Sequence, residues 1–339
     1  MRQTGFDPMR YANLSWQAEK ARLASAAGDL RSMTEAANKM ERCGYYKEAW
    51  KTFHSIAALQ GPTGRRPWRG PRDHVKFLVL EGRRRDLGDE LRLVHLVARA
   101  AEDVGQLIVQ TEARLVPLFQ RSYPAVHFIS TADVVPQGNE SAWTTYEQLA
   151  FFYARHEEMI SSGFLPLKAP PPSDKPRGGL GISWYSKAMY KCLPSLEDWA
   201  GLLRGVQGRV QSLQYQEGRA GLAELVKASG RPVKAARRVD QFKDLDGFAG
   251  QVFSVRRVLT ISNTTAHMAG ALGIPCVVVL DKESVTTWPD HGDRSPFYPN
   301  TRLIRRCSDG WAPTLEKALE LLLQIRADQA QVPASTAMR

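Results

Sequence analysis

No stretch of this sequence approaches the roughly 20 consecutive apolar residues that a membrane-spanning helix requires. The longest apolar runs, such as Cys276 to Leu280, are far shorter, and no transmembrane segment is expected. The opening stretch MRQTGFDPMRYANLSW holds no continuous apolar core after its first arginine, so it does not read as a secretory signal and cytoplasmic residence is the expectation. Cysteine is scarce. The four residues, Cys43, Cys192, Cys276 and Cys307, are far apart and form no CxxC pair, which argues against a disulfide framework and a structural zinc site and leaves reduced, inert thiols. There is no GxGxxG or Walker A loop. Nor is there an RNP-like aromatic motif, zinc-finger spacing or a basic-region heptad, so specific nucleic-acid recognition is not expected.

What is present is an ordinary globular composition, 43% hydrophobic and 24% charged, over 339 residues, which is enough chain for two or three compact units. Lysine and arginine outnumber the acids by 46 to 35, and the excess is concentrated in Arg65 to Arg92, which holds eight arginines, and in RPVKAARRVDQFK. A basic surface suits phosphorylated ligands, a membrane face or nucleic acid, but excess charge mostly reports solubility and weak nonspecific association.

The first sixty residues are rich in Ala, Glu, Lys, Met and Arg and repeat their apolar positions at helical spacing. Within ERCGYYKEAWKTFHSIAAL, Gly44, Tyr46, Ala49, Phe53 and Ile56 fall at the offsets of the second helix of a tetratricopeptide repeat, with Gly61-Pro62 closing the unit. An ordinary helical hairpin fits these residues as well. Such solenoids need about three repeats, so a single unit must lean on its neighbours.

From Trp68 short apolar strands alternate with helical stretches: KFLVLE, LIVQT and VHFIS, then a block from Ser141 to Gly163 that reads as one long amphipathic helix. The proline-rich KAPPPSDK, Lys168 to Lys175, marks a break. Beyond it come GLGISW, VQSLQY, PVKAA, VLTIS, CVVVLD and TRLIRR, each followed by a helical stretch, with Ser195 and Asp198 forming a capping box. The expected organisation is a helical segment over 1–63, an α/β unit over 64–168, a linker over 169–176, a second α/β unit over 177–326 and a disordered tail over 327–339. In doubly wound sheets of this kind, ligands sit at the carboxyl ends of the strands.

The chemistry-bearing stretch that stands out is ISNTTAHMAGALGIP, Ile261 to Pro275. An apolar strand ends there, and the small polar residues Asn263, Thr264, Thr265 and Ala266 precede a helical run. The free N–H groups and positive dipole end of such a helix start suit a phosphate or diphosphate, and Gly270 and Gly273 permit close packing or a helix stop. Every α/β unit has several such junctions. His267, in the first turn, fits donation to a phosphate or ribose oxygen, and equally a local hydrogen bond.

The order of segments along the chain adds more. Trp68-Arg69-Gly70, DLGDELR at Asp86 to Arg92, RLVPLFQRSYP at Arg114 to Pro124, GISW at Gly181, SLEDW at Ser195, SLQYQE at Ser212, NTTAHMAGALGIP at Asn263 and SPFYPNTRL at Ser295 follow one another over roughly residues 44 to 310. This order resembles tetratricopeptide-linked glycosyltransferases related to heptosyltransferases, family nine of the glycosyltransferases. The resemblance implies a GT-B fold: two Rossmann-like domains facing a cleft, here preceded by the short helical segment, with the sugar nucleotide held mainly by the C-terminal half. It implies an inverting transfer that needs neither metal nor cofactor, from a nucleotide sugar to a glycan, lipid-linked or protein acceptor. By position it makes Asp89 the general base that takes a proton from the attacking hydroxyl, where the local reading alone leaves helix capping equally open. Lys191 matches a basic position that contacts the diphosphate, and Lys187 is a less certain second cation. Gln214 and Glu217 fall where nucleoside contacts are expected, and Arg85 and Arg92 are further candidates for diphosphate or acceptor contacts. Many members carry an acid immediately before the Asn/Thr-Thr element, where this chain has Ser262. That departure bears on which sugar is accepted and on whether transfer survives.

The resemblance therefore implies a cytoplasmic enzyme of cell-surface glycan biosynthesis, with peripheral attachment to the inner face of the membrane compatible with its basic surface. An alternative of a different class is a non-catalytic sugar-nucleotide-binding or scaffold protein whose N-terminal helices recruit a protein partner. A third is an unrelated Rossmann-like binding protein.

Overall fold

The computed structural model describes residues 8–59, 65–81, 86–171, 178–188, 191–215, 221–235, 239–282 and 288–330. Arg85, Glu217, most of the proline-rich linker and the last nine residues of the tail lie outside the described residues. The chain forms two compact units. The first comprises the described residues of Met1–Val116, Tyr123–Phe164 and Val285–Gly292; the second comprises those of Pro117–Ser122, Leu165–Ser284 and Asp293–Arg339.

In the first unit three helices come first: α1 (Pro8–Ala26), α2 (Leu30–Arg42) and α3 (Tyr46–Leu59). Asp29 caps α2 through the Ser32 N–H at 3.0 Å, and Gly44, with φ of +82°, supplies the left-handed turn that brings α3 back against α2. Ala21, Ala36, Met40 and Ala49 form one small apolar cluster, and Ala24, Met33 and Ile56 another. Trp50 then ties α3 to the α/β portion by donating its Nε1 hydrogen to the Ala154 carbonyl at 3.1 Å.

The first sheet runs β1 (Arg66–Pro67), β5 (Ser141–Thr144), β2 (Phe77–Leu80), β3 (Gln106–Thr111), β4 (His127–Ser130), all parallel. The helices that follow the strands are α4 (Leu87–Leu93) and α5 (Leu96–Glu102) after β2, and α7 (Tyr146–Tyr153) with α8 (Glu157–Ser162) after β5. The expected long helix from Ser141 to Gly163 is corrected here in two places. Ser141 to Thr144 is a fully buried central strand paired with Phe77 to Leu80, because four buried residues beside an apolar neighbour satisfy their backbone best in the ladder. Thr145 then starts α7 with a capping box to Gln148, and the chain breaks again at Ala154 before α8.

Among the described residues, three arginines of the arginine-rich stretch have carboxylate partners. Arg65 pairs with Glu81 at 3.0 Å, Arg66 with Asp73, and Arg92 with Glu41 and with Asp89. Residues 288–292 also complete the first unit: Trp288 is wholly buried, and Asp290 accepts from Lys39 at 3.0 Å and donates its N–H to the Arg42 carbonyl.

The second sheet is longer and again all parallel: β11 (Thr301–Arg305), β10 (Cys276–Leu280), β9 (Arg257–Ile261), β6 (Leu180–Ser183), β7 (Val210–Ser212), β8 (Val233–Ala235). All six expected strands are found. The continuous apolar runs of β9 and β10 are those of strands covered on both faces. The covering helices are α9 (Leu196–Gly205), α10 (Leu222–Ser229), α11 (Leu245–Phe253), α12 (Thr264–Ala271) and α13 (Trp311–Ala330). The capping box of Ser195 with Asp198 opens α9, and Trp199, Leu203, Leu315 and Leu322 fill the layer between α9, α13 and the sheet. Also in this unit, Arg121 of α6 (Val116–Ser122) pairs with Asp246 of α11. Among the described residues no helix is long and apolar enough to cross a membrane.

Two of the fold's details are open to direct test. A Cβ on Gly270 would meet the Tyr298 ring at 2.5 Å, so Gly270→Ala must displace that ring. Overpacking of this kind costs about 1–3 kcal/mol, offset by about 1 kcal/mol of helix propensity. A lowered melting temperature is expected, and an unchanged one would show that the ring moves without cost. His95, between α4 and α5, is 3% exposed, and desolvation holds its pKa down at about 4 from 6.5. The unfolded chain therefore takes up this proton first, so stability is full above pH 6.5 and is lost as pH falls, by about 3 kcal/mol at pH 4. Melting curves from pH 7 to 4.5 should fall more steeply for the wild type than for His95→Gln.

Candidate functional site

In each sheet there is one place where neighbouring strands continue in opposite directions along the sheet, and ligands of doubly wound folds collect beyond the carboxyl ends there. In the second unit this point lies between β6 and β9, and in the first between β2 and β5. The residues singled out by sequence that lie within the described residues are found near both.

At the end of β9, Asn263 takes an extended conformation with φ of −156° and caps α12. Its Oδ1 accepts from the N–H groups of Thr265 at 3.0 Å and Ala266 at 3.3 Å, while its Nδ2 donates to Ser183 Oγ at 2.8 Å. Two of the turn's donors are thus already occupied by Asn263 itself. A diphosphate that used them would have to displace this cap. Thr264, at the first helical position, is half-buried, whereas Thr265 and Ser262 are buried.

Lys191 reaches the same turn, donating its ammonium to the Ser262 carbonyl at 2.7 Å. A cation held at the end of β9 therefore reinforces the positive end of α12. His267 is buried, with Nδ1 3.1 Å from the Tyr298 hydroxyl. Tyr298 belongs to SPFYP and lies against Gly270, so two segments far apart in sequence become one packing unit. Gly273, with φ of +71°, ends α12 in a Schellman turn in which the Ile274 N–H bonds to the Ala269 carbonyl at 2.9 Å.

Gln214 is wholly buried beyond β7. Its Oε1 accepts from Ser183 Oγ at 3.0 Å and from the N–H groups of Trp184 and Tyr185, both at 2.9 Å, and its Nε2 donates to the Tyr185 carbonyl at 3.3 Å. The side chain placed by sequence at a nucleoside contact is spent on holding the loop after β6 in shape.

That loop and its neighbours carry a group the sequence reading missed. Tyr185, Tyr215 and Phe242 form an aromatic cluster, with ring centroids 5.9 Å apart for the first pair and 5.1 Å for the second. The Lys187 ammonium stands over the Phe242 ring, 5.4 Å from its centroid. Tyr185 and Phe242 are 39% and 42% exposed, and burial of Tyr215 pushes its hydroxyl pKa up. Exposed aromatics at the carboxyl edge of a parallel sheet suit a flat ligand. The signal was available: an aromatic follows directly after two adjacent strands, in GISWY and SLQY.

In the first unit Asp89 sits in the first turn of α4, just after β2. The cap position belongs to Asp86, so the capping alternative for Asp89 does not hold. Its Oδ1 instead accepts from Arg92 Nε at 3.0 Å, and its side chain keeps 23% exposure. Arg92 is buried, paired with Glu41 and not presented to solvent as an anion-binding cation.

No family profile matches the chain. Among curated proteins it is similar to Protein FlbA of Caulobacter vibrioides, 23% identical over 324 residues, with 84% of this chain and 53% of that protein covered. The chain thus spans about half the length of that relative. Among solved structures it is similar to the glycosyl transferase family 9 protein of Veillonella parvula (9% identity, TM-score 0.53, 74% of this chain and 97% of that one). It is also similar to E. coli heptosyltransferase WaaC with ADP (11% identity, TM-score 0.51, 74% and 99%). The mixed α/β architecture with two parallel sheets matches that of these GT-B glycosyltransferases.

Proposed function

We propose that this protein is an inverting, metal-independent glycosyltransferase that moves a sugar from a nucleotide donor to a glycan, lipid-linked or protein acceptor. The observation that carries the reading is the pairing of unlike groups at the switch points of two parallel sheets. The first unit has a half-exposed carboxylate, Asp89, after β2, and the second has a helix start flanked by a tethered cation, Lys191, after β9. A transfer with inversion needs both kinds of group: a base for the incoming hydroxyl and fixed positive charge for the departing diphosphate. Metal independence rests on the resemblance to family nine.

In this reading Asp89 takes the acceptor proton as the hydroxyl attacks the anomeric carbon. The bond to the diphosphate breaks on the opposite face. The leaving charge is met by Lys191, the Thr264 N–H and hydroxyl, and the dipole of α12. Asn263 serves as the scaffold of that turn, because its side chain fixes both the helix start and Ser183. Thr265 and His267 act behind it as packing, and Gln214 shapes the wall on which the nucleoside rests. Glu217 retains the nucleoside contact, and Arg85 the diphosphate or acceptor contact, for which they are candidates by position. Ser262 has a chemical consequence of its own. A carboxylate there would add a negative charge to the residue whose carbonyl holds the Lys191 ammonium, and serine adds none.

The exposed rings of Tyr185 and Phe242 are the platform for the base, with Lys187 at its edge.

A panel of ADP-, GDP- and UDP-sugars tests the reading. At least one should raise the melting temperature, and the same one should release its nucleoside diphosphate in the presence of acceptor extracts. No stabilisation across the panel would remove the sugar-nucleotide reading altogether. Stabilisation without turnover, and with Asp89→Asn indistinguishable from wild type, would favour the binding or scaffold alternative. For an enzyme, Asp89→Asn should keep donor affinity within about twofold and lose about 10²–10⁴-fold in kcat, the span of general base catalysis. Phe242→Ala should weaken binding of the stabilising nucleotide by about 5–100-fold, corresponding to the 1–3 kcal/mol of one base–aromatic stack. Equal affinity would move the base elsewhere.

A further inference from the structure

Arg92 lies in the last turn of α4, and its side chain is 5% exposed. A guanidinium withdrawn from water to this degree needs carboxylates around it. Two share it. Glu41 of α2, 4% exposed, engages Nη1 and also accepts from Nη2 at 3.4 Å, while Asp89, one turn back along α4, accepts from Nε at 3.0 Å. The planar fork of an arginine directs its donors in fixed directions. With the Nη groups held by Glu41, the Nε–H can point only toward Asp89.

The third side of α4 is held as well. Glu90, the neighbour of Asp89, is buried and accepts from the Thr111 hydroxyl at the end of β3. The helix is therefore fixed to the sheet on one side and to α2 on the other. Asp89, the outermost member of this network, has one oxygen on Arg92, and its Oδ2 has no partner among the described residues.

We propose that Glu41 and Arg92 are positioning residues for Asp89, through which the N-terminal helices set the orientation of the candidate base. The proposal rests on the reading of Asp89 as the proton acceptor. Its physical content is a division of labour at one guanidinium. While Glu41 holds the Nη side, Asp89 is engaged through a single oxygen and keeps a lone pair for the acceptor hydroxyl. Without the Glu41 charge, the guanidinium turns its second donor to Asp89, and both carboxylate oxygens are occupied. The base is then present and blocked.

The full-length chain is used for the test, with the sugar nucleotide from the ADP-, GDP- and UDP-sugar panel that stabilises it most. Glu41→Gln, which keeps the shape and removes the charge, should lower kcat by about 10–100-fold with donor KM within twofold. Amide exchange should quicken over residues 87–93 and stay unchanged over 257–271, the control in the second unit. Arg92→Lys should retain more activity than Arg92→Met, because it keeps the charge that Glu41 requires. A kcat within twofold of wild type together with unchanged exchange at 87–93 would overturn the proposal, as would a loss shared equally between kcat and donor KM. If wild type itself releases no nucleoside diphosphate, the reading of Asp89 as base fails separately. Exchange then decides the link between α2 and α4: quickening confined to 87–93 sustains it, and no change removes it.

Discussion

Where β6 and β9 lie side by side, their chains leave in opposite directions along the sheet, and the backbone groups at the two carboxyl ends are left without a strand to bond. Much of the second unit is arranged around satisfying them. Gln214 supplies one carbonyl to three donors, and Asn263 supplies one amide to the helix start, the end of β6 and the β9 end itself through Thr260. Buried amides wired in this way are hard to replace, because each lost partner leaves a desolvated donor or acceptor at a cost of about 1–3 kcal/mol. The same wiring makes a smooth, preorganised floor. In the proposed reading, a ligand arriving there meets, among the described residues, a fixed turn, a tethered ammonium and exposed rings.

The first unit meets the corresponding constraint with charge instead of amides. Its switch point is lined by Glu90, Arg92 and Asp89 on α4, with Glu41 contributed by a helix nearly fifty residues earlier in the chain. A network of this kind is a poor source of net stability, since desolvation takes back most of what the ion pairs return. What it supplies is orientation. The price is tight dependence on every member, so α2 has become part of the environment of Asp89 even though it contributes no strand and no loop to the sheet.

The strands of the second sheet were legible because they are short, apolar and bounded by polar turns. So were the capping box at Ser195 and the helix stop at Gly273, whose signals are local. Ser141 to Thr144 was misassigned because SAWT is too short to show a period, and only the cap residue Thr145 separates it from α7. At the site, sequence located the turn at Asn263 and the carboxylate at Asp89 but assigned their neighbours by residue type. Gln214 and Arg92 each had the right chemistry to touch a ligand, and each is committed to the protein itself. No local pattern distinguishes a polar side chain that points outward from one that closes a loop or pairs with a helix fifty residues away.

Among the described residues, the two units differ in polarity at the carboxyl ends of these strands. Beyond β2 the described side chains closest to solvent are acidic, and Arg92, the cation among them, is spent within. Beyond β9 the helix start and Lys191 are positive, and the neighbouring side chain, Ser262, is neutral. A parallel sheet by itself favours anions at its carboxyl edge, because helix starts gather there. The second unit follows that tendency. The first meets it from within, with the carboxylates of Asp89 and Glu90 in the opening turn of α4 and with Arg92 and Glu41 packed behind them. A partly exposed carboxylate at the end of a parallel sheet, steadied from behind by an arginine that a separate helix holds in place, is the arrangement that the proposed reading requires of its base.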